Sequence, residues 1–126
     1  MRLAHATPAA STLIDAARLW CRARDLGEPI QPLLAASFRS PAGGFLAPAI
    51  DGLLRLYEAA FRRRFVAGDP CDDDLTRDEE RLLDLLDHDG APPPGIRPDL
   101  VGALRAALRS TRIMLRMVLP GRAEPS

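Results

Sequence analysis

Lysine and asparagine are absent from the 126 residues, and all 17 cations are Arg. Without Lys, Schiff-base catalysis and a P-loop phosphate site are excluded; without Asn, so is N-glycosylation. The Arg usage, alongside abundant Ala, Leu and Pro, fits GC-rich coding and requires no functional cause. Cysteine is scarce: Cys21 and Cys71 lie far apart and in no CxxC pair, too few for a disulfide framework or a zinc site. Spacing alone leaves one disulfide between them open, but two reduced thiols in a cytoplasm are the expected state. Net charge is missing as well, since 17 acids offset the 17 Arg, and this excludes a histone-like chain or a polybasic membrane binder. No long apolar run occurs. The stretch Ile113 to Leu119 is broken by Arg116 and falls far short of the ~20 residues of a membrane span. The start, MRLAHATPAAST, has no apolar h-region, so no secretory signal is expected and the chain reads as cytoplasmic.

With 47% hydrophobic and 27% charged residues, the chain is an ordinary globular sequence of one-domain length. Period-two alternation is absent and β-branched residues are few, so no strand is expected; internal repeats are absent too. Helical periodicity is clear. Ser11 or Thr12 can cap a first helix running to about Asp25, with Gly27 as its stop. Leu13, Ala16, Ala17, Trp20 and Ala23 share one face, Asp15, Arg18 and Arg22 the other, and Arg24 must snorkel near the apolar face. Leu33, Leu34 and Phe38 support a short helix at 31–38 between prolines.

The strongest periodic signal is a core helix over 45–66. It carries Leu46, Ile50, Leu53, Leu54, Tyr57, Phe61 and Phe65 inward, Asp51–Arg55 and Glu58–Arg62 as outer i,i+4 pairs, and Arg62–Arg64 in its last turns. Pro48 is placed in its first turn. Thr76 opens the next helix, with Glu79 three residues on in capping-box spacing. Leu82, Leu83, Leu85 and Leu86 form its apolar face and Gly90 its end. A stiff Pro-rich connector leads to Pro98, at a favoured first position of a final helix lined by Leu100, Leu104, Leu108, Leu115 and Val118 and stopped at Pro120–Gly121. The expectation is one all-α domain over 1–126, a compact bundle of four main helices with a short fifth, and flexible tails at 1–10 and 121–126.

Three landmarks, Phe38-Arg39-Ser40-Pro41, Pro70-Cys71 and Thr76-Arg77-Asp78-Glu79 before Leu82-Leu83, stand in an order that resembles an uncharacterised family of small helical alphaproteobacterial proteins over roughly residues 30–90. The resemblance implies a helical fold and no particular function. Further cysteines follow the Pro-Cys step in that family; here Asp72, Asp73 and Asp74 follow instead.

Charge is segregated along the chain. Residues 69–89 hold ten acids against two Arg, and the remaining residues hold seven acids against fifteen Arg. Either the two fields compensate inside the fold, or they form oppositely charged partner surfaces. On the partner reading the candidate binding residues are Asp72, Asp73 and Asp74 in the acidic loop and Arg105, Arg109, Arg112 and Arg116, which recur at helical spacing along the last helix. Guanidinium groups match phosphate bidentately, so that Arg ridge could track a nucleic acid, although the aromatic interleaving of single-strand binders is missing.

The acidic loop fails the EF-hand pattern, with Cys71 in a ligand position and no Gly at the sharp turn. Glu80, Asp84 and His88, at i, i+4 and i+8, are the weak metal candidates, but they face away from the leucines, unlike bundle di-iron ligands. Histidine bases are limited to His5 and His88, no G-x-S-x-G, H-E-x-x-H or Gly-rich phosphate loop is present, and three carboxylates beside Cys71 disfavour its thiolate. No catalytic residue and no cofactor are assigned. The reading is a non-catalytic interaction or regulatory module that binds a protein partner or a second copy of itself. Nucleic-acid binding through the Arg stripe is the first alternative, and a metal protein or enzyme built on Glu80, Asp84 and His88 the second.

Overall fold

The computed structural model describes residues 3, 6–38, 43–87 and 95–119. The protein is all-α: five helices and no strand form among the described residues. They are α1 (Pro8–Leu26), α2 (Ile30–Ser37), α3 (Gly43–Phe61), α4 (Arg77–Asp87) and α5 (Val101–Val118), the last preceded by a 3-10 turn at Pro98–Leu100.

α1 begins earlier than its Ser11/Thr12 expectation. Thr7 is the cap, its Oγ1 accepting the Ala10 N–H at 3.1 Å, and Pro8 occupies the first helical position, where a missing N–H costs nothing. The expected tail at 1–10 therefore includes the first turn of a helix, and the Leu3 N–H donates to the Asp73 carbonyl. At the other end Gly27, at φ 70°, lets its own N–H reach the Arg24 carbonyl and the Glu28 N–H reach the Ala23 carbonyl, the paired bonds of a Schellman stop.

α3 is the centre of the fold, in contact with α1, α2 and α5, most extensively with α5. Ile50, Leu53, Leu54 and Tyr57 are fully buried, as the periodicity predicts, while Phe61 is half-buried under the Arg81 guanidinium. Pro48 falls in the second turn of α3 and faces solvent. The helix stops at Phe61, short of the predicted Val66 neighbourhood, because Arg62 adopts the left-handed conformation at φ 59° and the Arg63 N–H closes onto the Glu58 carbonyl. Arg62–Arg64 are thus outside the helix. Phe65 still enters the core from the following loop, its ring edge-on to Tyr57 with centroids 5.1 Å apart. The expected Glu58–Arg62 pair is replaced by Glu58 with Arg24, whose guanidinium also lies over Trp20.

α4 begins where Thr76 predicts. Thr76 Oγ1 accepts the Glu79 N–H at 3.1 Å and Glu79 Oε1 accepts the Thr76 N–H at 2.9 Å, a complete capping box. Thr76→Ala is expected to cost about 0.5–2 kcal/mol and Thr76→Ser to be nearly silent, because the hydroxyl also donates to the Val66 carbonyl. Equal urea midpoints for the two variants would exclude the cap. Gly90, most of the Pro-rich connector, Pro120–Gly121 and the C-terminal tail lie outside the described residues.

The Arg97 N–H donates to the Ala60 carbonyl at the end of α3, and α5 runs back along α3 from there. Leu104, Leu108 and Leu115 are buried as predicted, and Leu100 and Val118 pack at the margin. Thr111 completes the same face at 0% exposure, and its hydroxyl has no hydrogen-bond partner among the described residues. Thr111→Val keeps the shape and removes an unpaired polar group, so it should stabilise the fold by about 1 kcal/mol, read as a higher urea midpoint. A lower midpoint would mean that the hydroxyl is bonded in solution.

Candidate interaction surface

The acidic segment is tied into the fold by two buried carboxylates. Glu79, with 0% exposure, receives Arg18 Nε at 2.8 Å and Nη2 at 3.1 Å, a bidentate pair, and both oxygens also accept backbone N–H groups, from Gly68 and Thr76. The hydrogen bond to Glu79 raises the already high Arg18 pKa. The rest of the Arg18 fork donates to the carbonyls of Asp72 and Asp74 at 2.7 and 3.2 Å. Gly68 is favoured by close approach: a Cβ there would stand 3.0 Å from Arg18 Nη2 and 3.1 Å from Asp72 Oδ2, tighter than an ordinary contact. Asp78, also buried, accepts from Tyr57 Oη at 2.8 Å, from the Val66 N–H at 2.8 Å and from Arg63. Burial, reinforced by this carboxylate, pushes the Tyr57 pKa well above its ordinary range.

Arg18 was expected on the solvent face of α1 and is instead 2% exposed. Its place at the edge of the apolar face, beside Ile14 and Cys21, turns it toward the 66–76 loop, whose carbonyls and Glu79 supply what a buried guanidinium needs. Asp51 is a second correction. The predicted Arg55 partner is present at 2.9 Å, but the carboxylate is buried and also accepts Trp20 Nε1 at 2.7 Å and Gln31 Nε2 at 3.0 Å, so it joins α1 and α2 to α3. Burial works to raise the Asp51 pKa; the three donors outweigh it and hold the group below its ordinary value.

The sequence-derived candidates separate into three groups. In the loop, the Asp72 carboxylate accepts the Asp69 N–H at 3.0 Å, and the carbonyls of Asp72, Asp73 and Asp74 hold Arg18 and Leu3, so this backbone is occupied in structural bonding. Asp72 and Asp74 are exposed; Asp73 is half-buried and engaged. On α4, Glu80 and Asp84 are exposed and each has a partner, while His88 lies outside the described residues, as does His5. Among the described residues no three His, Cys, Asp or Glu are grouped to hold a metal ion. On α5, Arg105, Arg109 and Arg116 are exposed and Arg112 is half-buried with an unpartnered Nε; Arg105 and Arg109 are each engaged by a partner.

Sequence reasoning missed the apolar part of the α5 surface. Ile113 is 51% and Met117 74% exposed, one turn apart on the side opposite Leu104, Leu108 and Leu115. The signal was available in the spacing, because neither residue shares the leucine face.

Two shallow clefts mark the described surface. One, of about 300 Å³, lies between α1 and the 67–70 segment, with Arg18, Cys21, Arg22 and Asp25 on its α1 side. The other, of about 200 Å³, sits among Thr12, Asp15, Ser37, Phe38 and Val118. Cys21 is 7% exposed and lies 3.6 Å from the Phe65 carbonyl; burial pushes its thiol up to about 11. Cys71 is exposed, and both cysteines are free. A thiol reagent near neutral pH should therefore label one cysteine per chain quickly, Cys71, and reach Cys21 only on unfolding. Two fast thiols would contradict this placement. No helix of the described residues is long and apolar enough to cross a membrane.

Phe38 closes the short α2, and Arg39–Pro41, the remainder of the first motif behind the family resemblance, lie outside the described residues. No family model, no curated protein and no solved structure matches this chain.

Proposed function

We propose that this protein is a small non-catalytic interaction module of the cytoplasm, a single domain in which the four longer helices form the bundle, acting through protein–protein contact at α5. The observation that carries this reading is the pair of exposed apolar side chains, Ile113 and Met117, flanked on one side by a ridge of four Arg on a helix whose opposite face is buried. Exposed apolar groups bordered by charged side chains are ordinary features of a protein interface. In the acidic segment Asp78 and Glu79 pair with Arg63 and Arg18, so part of the charge segregation is compensated inside the fold, and the reading rests on α5 rather than on the acidic loop.

Nucleic-acid binding is the second reading, favoured by the Arg ridge itself. Replacing Arg105, Arg109, Arg112 and Arg116 together with Gln separates the two. Wild-type protein should show no measurable affinity for labelled duplex DNA or single-stranded RNA at about 0.15 M salt, because a chain without net charge gains little long-range attraction. The quadruple variant should lose a protein partner that the wild type retains in co-purification. Tight, salt-sensitive nucleic-acid binding by the wild type, abolished in the quadruple variant, would replace the first reading with the second. Sedimentation of the wild type decides whether the partner is a second copy.

A further inference from the structure

We infer that the outer face of α5 docks an acidic amphipathic helix of a partner protein, with Ile113 and Met117 as the apolar anchors and Arg112 and Arg116 as the charged flank. This rests on the interaction-module reading and specifies its surface and the chemistry of its partner. Ile113 and Met117 are spaced i, i+4, so their side chains stack into one ridge. α5 carries four Arg and no acid. At 100° per residue, Arg116 stands roughly 60° and Arg112 roughly 100° from Ile113, both on the same flank. That flank also holds a guanidinium N–H, Arg112 Nε, that is buried without a hydrogen-bond partner among the described residues. A carboxylate from outside would pair with the exposed Arg116 guanidinium on this flank, while the Arg112 Nε itself is enclosed.

Toward the start of the helix the outer face is made of Gly102, Ala106 and Ser110, all small. A partner backbone can approach closely there while its apolar side chains meet Ile113 and Met117, which suits a helix lying along α5. The same layout argues against the other occupants. A second copy packed antiparallel on this face would bring the two Arg ridges onto one side of the dyad, like charge against like. A lipid surface needs a continuous apolar face to insert, and half of this one offers no large apolar side chain. For a nucleic acid, Ile113 and Met117 would be desolvated against phosphate with no aromatic ring to stack a base.

The test is selection of a displayed library of 16-residue helical peptides against the full-length protein. Enriched peptides should be net acidic with an apolar i,i+4 pair. Their affinity should fall roughly ten-fold or more for Met117→Glu, as expected for loss of an anchor. It should also fall for Arg116→Glu and recover when an acid of the peptide is changed to Arg, and it should weaken as salt rises. Both sites are exposed, so thermal melts of the variants should match the wild type; Met117→Ala provides a smaller truncation of the same anchor. Neutral or basic peptides whose binding still falls for Met117→Glu would overturn the inference and leave the interaction reading standing, whereas binding equal for wild type and Met117→Glu would overturn both. Failure to enrich any peptide would overturn both. Binding of anionic vesicles that is abolished by Met117→Glu, in the absence of peptide binding, would replace the partner helix with a lipid surface.

Discussion

Arg18→Met should lower stability by roughly 3–5 kcal/mol, a large part of the roughly 5–15 kcal/mol that holds a domain of this size together. The methionine fills much of the space of the arginine stem but leaves the Glu79 carboxyl group at 0% exposure without its guanidinium partner, with only the Gly68 and Thr76 N–H groups as donors. The Asp72 and Asp74 carbonyls lose their shared donor at the same time, so the loop between α3 and α4 loses its anchor on α1. Arg18→Lys should rescue little, since an ammonium group cannot supply the two-pronged contact to Glu79 together with two carbonyl bonds in this geometry. An unfolding free energy from urea titration within about 0.5 kcal/mol of wild type would show that Arg18 is solvated and the pair unimportant.

The second large effect is expected in the core. Leu54 is fully buried in α3, the helix most extensively packed against its neighbours, and Leu54→Ala should cost about 2–5 kcal/mol, the spread set by how far the surrounding side chains collapse into the space. An unchanged midpoint would place the buried face of α3 elsewhere.

These two residues illustrate what a sequence can and cannot convey about this fold. Leu54 lies in a run of apolar residues at three- and four-residue steps, so both its helix and its burial follow from period alone. Local capping chemistry was equally legible: Thr76 and Glu79 announce the start of α4, and Gly27 the end of α1. Arg18 is different. On the helical wheel it groups with Asp15 and Arg22, and what buries it is a partner 61 residues away together with two loop carbonyls, none of which leaves a local trace. The premature end of α3 was hidden for a related reason. Phe65 continues the apolar rhythm past Arg62, and the core receives its ring although the backbone has already turned.

The candidate surface was half legible. The Arg ridge of α5 stood out by charge and spacing, whereas Ile113 and Met117 count as ordinary apolar residues until the buried face of the helix is fixed by Leu104, Leu108, Thr111 and Leu115. The acidic loop shows the opposite outcome. Its composition drew attention, yet its backbone serves to hold Arg18, and the charge of the neighbouring Asp78 and Glu79 is absorbed by Arg63 and Arg18.

The central claim, that the protein works by protein contact at the outer face of α5, is tested most directly by site-specific photo-crosslinking in living host cells. One photoreactive residue replaces Met117, and a second, in a separate variant, replaces Arg22 in the cleft beside α1. The account predicts a single discrete protein adduct from position 117 and none from position 22. An adduct at position 22 with none at 117, or nucleic acid as the species captured at 117, would contradict it.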